Sequence, residues 1–238
     1  MPAEEYAIKY YEPAGWQVFF NAGKGIMRAG LFVNGDFEKT PNVLNFLVGL
    51  DFLVAVDGGL LHIIHAGLTP NVIIGDLDSV DPIDLSHYEN EGVDIIRYPV
   101  QKDETDLELA VEYVINLGFD ELLIFGAIGG RVDHFLGNIL LFSNPRFQKL
   151  DIKFVTDKGI LFFCKNHQMI YGSIGDRVSL IPISEVVKNT NTTGLLYPLI
   201  NENLYRWKCR GISNQIVDHF VEIHFEYGIL LCVHDFYS

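Results

Sequence analysis

A chain of 238 residues is long enough for one large domain or two small ones with a buried core. Its composition, 49% apolar and 13% aromatic, excludes an intrinsically disordered chain. The formal charge of −14 argues against nucleic-acid binding, which needs clustered Lys and Arg, and it means that an anionic nucleotide could be held only with the help of metal ions or local cations.

Residues 1–30 lack the basic start, apolar centre and small-residue cleavage site of a secretory signal, and are expected to be an N-terminal extension. No apolar run approaches the roughly 20 residues of a membrane helix. Cys164, Cys209 and Cys232 are odd in number, far apart and without a CxxC pair. That pattern disfavours structural zinc and suits a reduced, cytoplasmic chain.

From Leu31 to about Leu150, short apolar runs alternate with helical patterns. Leu31-Phe32-Val33 breaks at Asn34-Gly35-Asp36, and Phe52 to Val56 breaks at Asp57-Gly58-Gly59. Val72-Ile73-Ile74 breaks at Gly75-Asp76, Val93 to Ile96 runs into Tyr98-Pro99, and Leu122 to Phe125 breaks at Gly126. Continuous apolar runs separated by helices predict a mostly parallel sheet covered on both faces, a Rossmann-like α/β domain over 31–150. The clearest helix follows Asp103, with Leu107, Ala110, Val111, Val114 and Ile115 on one stripe and Gly118 as its stop. A second is predicted from Val132 to Phe142, ahead of Asn144-Pro145. After Leu150 the runs shorten: Ile160 to Phe163, Val178 to Ile181, Val217 to Phe225 and Ile229 to Val233. Val217 to Phe225 alternates in part, and Glu226-Tyr227-Gly228 predicts a hairpin to the next strand. The segment 151–238 is thus expected to be antiparallel β, a sandwich or half-barrel.

In open parallel sheets, ligands bind beyond the carboxyl ends of the strands. The loops at Asn34-Gly35-Asp36, Asp57-Gly58-Gly59, Gly75 to Ser79 and Gly126 to Arg131 should therefore meet on one edge. Asp76 and Asp78, two apart in an extended segment, would point the same way and could share a hard cation; an Asx-turn explains them equally well. Asp103-Glu104-Thr105-Asp106 opens the clear helix, with Asp103 as N-cap or with Asp103 and Asp106 facing a metal. Lys102 could meet a phosphate. Gly126 to Gly130 could cradle another, with Arg131 clamping its oxygens and Asp133 touching a polar cosubstrate. Neither a Walker A loop nor a GxGxxG fingerprint is present. His134 alone fits a capping or packing role better than catalysis, and Gly211-Ile212-Ser213-Asn214 alone is an ordinary turn.

Taken in order, Asn34-Gly35-Asp36, Asp57-Gly58-Gly59, Pro70 to Ser79, Asp103 to Asp106, Gly129 to His134 with Gly137-Asn138, Thr193-Gly194-Leu195 and Ser213-Asn214 resemble the thiamine pyrophosphokinase family. The resemblance runs from about Leu31 to the C-terminus. It implies an N-terminal α/β domain, a C-terminal β-sandwich, and a homodimer with active sites between subunits. The implied reaction moves the terminal pyrophosphate of ATP onto the thiamine hydroxyl and releases AMP. Asp76, Asp78 and Asp106 match the family's magnesium positions. Asn34, Gly35, Asp57, Gly58, Lys102, Asp103, Thr105, Gly130 and Arg131 match its nucleotide contacts, and Asp133, Ser213 and Asn214 its thiamine contacts. Two departures stand out: Trp207 lies where a Gly is usual, and Tyr227 to Leu231 holds no tryptophan to stack on thiamine. The rival readings are another magnesium-dependent nucleotide enzyme and a catalytically silent binding module.

Overall fold

The structure is a computed structural model that describes residues 27–147 and 149–236. Most of the expected extension, 1–30, lies outside the described residues; its last part, from Arg28, begins the first strand.

Six strands form the parallel half of a large sheet: β1 (Arg28–Phe32), β2 (Phe52–Val56), β3 (Val72–Gly75), β4 (Asp94–Arg97), β5 (Glu121–Phe125) and β6 (Asp151–Val155). Their order is β6-β5-β1-β2-β3-β4, every neighbouring pair parallel. The order reverses between β5 and β1, the crevice where open α/β sheets hold ligands.

Alternate residues of each strand enter two different cores. Leu31, Val54, Ile74, Leu122 and Ile124 pack under α4 (Asp106–Asn116) and α5 (Val132–Phe142). Phe32, Ala55, Ile73, Leu123 and Phe125 pack under α1 (Pro41–Leu47), α2 (Leu60–Ala66) and α3 (Pro82–Asn90). Burial on both faces is why these strands read as unbroken apolar runs. The stripe of α4 is as expected: Leu107, Ala110, Val111 and Val114 are buried.

Beyond β6 the sheet turns antiparallel through β7 (Gly159–Phe163), β14 (Leu230–Asp235), β9 (Arg177–Pro182) and the short edge strand β12 (Asn214–Gln215). A second sheet, β11-β10-β13-β8, is built from β8 (His167–Tyr171), β10 (Val186–Thr193), β11 (Glu202–Tyr205) and β13 (Phe220–His224). The two sheets bury a common core, with Phe162, Val178, Leu180, Leu230 and Cys232 from the large sheet and Ile170, Val187, Leu204, Val221 and Ile223 from the small one. This is the sandwich, and one of its two layers continues the parallel sheet.

The hairpin expected at Glu226-Tyr227-Gly228 is not formed. β13 pairs with β8 and β10, while β14 pairs with β7 and β9 in the other sheet. The reason is packing: both runs carry an apolar face into the same core, from opposite sides. The turn therefore carries the chain across the core. Gly228 permits this with φ +120°, and a Cβ there would lie 2.7 Å from the Val186 carbonyl oxygen.

Candidate functional site

The loops after β1, β2, β3 and β5 and the start of α4 converge on a cavity of about 830 Å³. Asn34, Gly35, Asp57, Asp76, Asp78 and Ser79 line it from the strand ends. Thr105 and Asp106 enter from α4, and Gly129, Gly130, Arg131 and Asp133 from the turn into α5.

The crevice floor is built by close backbone approach. The Gly35 N–H donates to the Gly126 carbonyl at 2.7 Å, and a Cβ on Gly35 would meet that oxygen at 2.3 Å. Gly58 is buried beneath the Asn34 side chain and does not line the cavity; any Cβ would strike that amide at 2.6 Å.

Asp76 and Asp78 do not sit in an extended segment. Leu77 between them is left-handed, φ +63°, and the Asp78 N–H donates to Asp76 Oδ1 at 3.2 Å, an Asx-turn contact. The turn nonetheless leaves both residues on the cavity lining. The helix opening also differs from expectation. Thr105, not Asp103, caps α4, its hydroxyl accepting from the Glu108 N–H at 3.2 Å. Asp103 lies outside the helix, exposed, and outside the cavity lining, because the helix starts one residue after Thr105. Asp106 is then the first helical residue, where a carboxylate favours the helix dipole.

Lys102 is not at the cavity surface. Its ammonium lies 2.8 Å from Asp106 Oδ1 and donates to the Pro99 carbonyl at 3.2 Å, with the side chain only 11% exposed. Burial, reinforced by the Asp106 and Asp76 carboxylates, pushes the Asp57 carboxyl up to about 7, against the lowering effect of the Leu77 N–H. Arg131 and Asp133 are paired with each other at the rim, Nη2 to Oδ2 at 2.6 Å. Each holds the other's charged form, raising Arg131 and lowering Asp133, although both are exposed. His134 is exposed on the cavity wall, so the packing role expected of it is absent.

Ser213 and Asn214 are elsewhere. They lie at β12, the far edge of the ten-stranded sheet, five strand spacings from β5. At ~4.8 Å per strand that is roughly 24 Å. Asn214 is buried, with its amide spanning Tyr197: Oδ1 accepts from the Tyr197 N–H at 3.0 Å and Nδ2 donates to the Tyr197 carbonyl at 2.7 Å. Ser213 is exposed and left-handed, φ +56°.

Sequence reading missed two residues here. His62 on α2 holds the Gly35 carbonyl from 2.9 Å and stacks on Phe37. Glu108 lines the cavity and pairs with Arg146. Neither belongs to a short motif. A second hollow of about 500 Å³ beside β6 to β8 is lined by Lys153, paired with Glu121 and Asp151, by His167, paired with Glu222, and by Lys165.

The donor set suits a hard divalent cation: Asp76, Asp78 and Asp106 offer oxygen ligands, and a cation would relieve the repulsion among these carboxylates and Asp57. Among the described residues no three His, Cys, Asp or Glu side chains are already gathered into a metal-ligand group. Magnesium does not require such a group, since it takes one or two carboxylates and completes its shell with water and phosphate oxygens.

The description "Thiamin pyrophosphokinase, catalytic domain" matches residues 44–154, and "Thiamin pyrophosphokinase, vitamin B1 binding domain" matches 166–230. A thiamine pyrophosphokinase of Bacillus subtilis is 31% identical over 205 residues, covering 85% of this chain and 96% of that protein. The crystal structure of a thiamine pyrophosphokinase from B. subtilis superimposes with a TM-score of 0.79 at 26% identity, over 89% of this chain and 100% of the other. That of Geobacillus thermodenitrificans gives 0.77 at 29% identity, over 89% and 99%. Fold, site and these likenesses agree, and the chain belongs to the thiamine pyrophosphokinase family.

Proposed function

We propose that this chain transfers the terminal pyrophosphate of ATP to the hydroxyl of thiamine. The observation that carries the reading is the convergence of Asp57, Asp76, Asp78 and Asp106 with the glycine turn 126–130 on one cavity at the switch point of the sheet. The thiamine oxygen attacks the β-phosphorus, the bond between β-phosphorus and the α–β bridging oxygen breaks, and AMP leaves. The hydroxyl proton passes to a cavity carboxylate, Asp106 or Asp133. Such transfer asks a protein chiefly for positioning and charge neutralisation.

Asp76, Asp78 and Asp106 would hold magnesium, which supplies charge neutralisation at the triphosphate. Backbone N–H groups of the turn Gly126 to Gly130 would contact phosphate oxygens, while Gly35, its own N–H and carbonyl already engaged, leaves room for their approach. Lys102 keeps Asp106 oriented and adds positive potential behind it, and Arg131 exchanges Asp133 for phosphate when nucleotide enters. Asp133 is then released to meet the cationic thiamine.

Ser213 and Asn214 complete the thiamine site from a second copy of the chain, since about 24 Å separates them from the cavity within one copy. The homodimer reading has a surface to match. Val132, Leu136 and Leu140 form one stripe on α5 beside the cavity, each 54–69% exposed, and Leu196, Tyr197 and Ile212 are exposed around Ser213. In this reading segment 31–150 binds nucleotide and metal, and 151–238 binds thiamine. Among the described residues no helix is long and apolar enough to cross a membrane, and the three cysteines are free, which suits a cytoplasmic setting.

The test is to mix protein, ATP, thiamine and magnesium and follow phosphorus products by NMR. AMP and thiamine diphosphate support the reading. ADP, or free phosphate formed without thiamine, would overturn it, and thiamine binding without turnover would make the chain a binding module.

A further inference from the structure

We propose that Asp57 acts as a positioning residue for the Asp76–Asp78 turn rather than as a direct nucleotide or metal contact. The inference rests on the magnesium reading of that turn. Leu77 adopts φ +63°, a strained conformation that a branched, bulky residue keeps only where its surroundings impose it. Two features impose it. The Leu77 side chain is 6% exposed and packs into the core on the α1–α3 side of the sheet. The Leu77 N–H donates to Asp57 Oδ1 at 3.0 Å.

Asp57 is itself left-handed, with φ +49°, at the start of the short 3-10 turn Asp57–Gly59. Gly75 leaves it room: a Cβ there would stand 1.8 Å from Asp57 Oδ1. Asp57 and Asp106 line the same cavity. One side chain thus braces the turn after β3, which carries Asp76 and Asp78, beside the start of α4, which carries Asp106. Releasing it lets Leu77 relax towards negative φ, which swings Asp76 and Asp78 apart.

The two roles separate by chemistry. An asparagine keeps an oxygen acceptor for the Leu77 N–H but is a poor ligand for a hard cation; alanine keeps neither. Binding of Mn²⁺ in the presence of α,β-methylene-ATP, read by electron paramagnetic resonance, measures the site without turnover. Asp57→Ala is expected to weaken Mn²⁺ binding about 10-fold or more, the usual effect of losing a residue that orients metal ligands. Asp57→Asn is expected to lose only a small part of that. Melting curves of both variants identify any loss that is merely unfolding, and the asparagine variant carries the decision if the alanine variant does not fold. If Asn and Ala weaken binding equally, Asp57 is a direct ligand and the inference is overturned. If Ala binds like wild type, it is overturned as well. Failure of the wild type to bind Mn²⁺ would instead sink the magnesium reading on which it stands.

Discussion

Glu121 begins β5 at the edge of the sheet opposite the cavity, buried yet charged. Burial alone would push its carboxyl up, but Arg28 at 2.7 Å and Lys153 at 3.0 Å outweigh that and hold it below the usual range. A carboxyl depressed in the folded state adds stability above its unfolded value and loses it as pH falls through the folded value. Glu121→Gln is therefore expected to cost about 1–3 kcal/mol near neutral pH, by leaving two cations without their shared partner. In urea denaturation at a series of pH values, the gap between wild type and variant should narrow in acid. A gap that stays constant would mean the carboxamide fails for reasons of shape. By contrast, the Arg131–Asp133 pair is exposed and contributes little to stability, which leaves it free to open for ligand.

Among the elements, α4 does two jobs with adjacent residues: Thr105 caps it and Asp106 enters the cavity. Thr105→Ala should cost about 1 kcal/mol in thermal or chemical denaturation without any nucleotide present, the value of a lost hydroxyl cap. No loss in the free protein would confine Thr105 to ligand contact. The parallel strands were legible as unbroken apolar runs, and α4 and α5 by their helical period; α5 spans Val132–Phe142 as its pattern predicts. The helices α1, α2 and α3 went unread. They are short, at seven to nine residues, and bury few positions each, so no stripe emerges. Two of them did carry a signal of another kind, Thr40-Pro41 and Asp81-Pro82, a capping residue followed by proline at the first helical position. The site was legible as a set of strand-end loops because strand order alone brings such loops together. Its local geometry was not. The left-handed Leu77 depends on contacts to Asp57, 20 residues away, and nothing in Asp76-Leu77-Asp78 itself announces it.

At the scale of the whole molecule, the separation of Ser213 and Asn214 from the carboxylates has a consequence for mixed chains. If each working site draws on two copies, an Asp76→Asn chain and an Asn214→Ala chain are both inactive alone but complementary together. Co-expressed in equal amounts they should recover about a quarter of wild-type activity, since half the dimers are mixed and each of these has one intact site of two. No recovery, with dimers present by ultracentrifugation, would place the whole site within one copy.

The crossing at Gly228 has a further implication, for the order in which the protein can be assembled. It delivers β14, the last strand of the described chain, between β7 and β9 rather than at an edge. A chain emerging from the ribosome therefore holds two unpaired strand borders open until residues 230–235 arrive, and both are templates for mispairing with other chains. The nascent protein is exposed to such mispairing until that strand is made, and a chain cut before Leu230 loses an interior strand of the sheet instead of part of its rim.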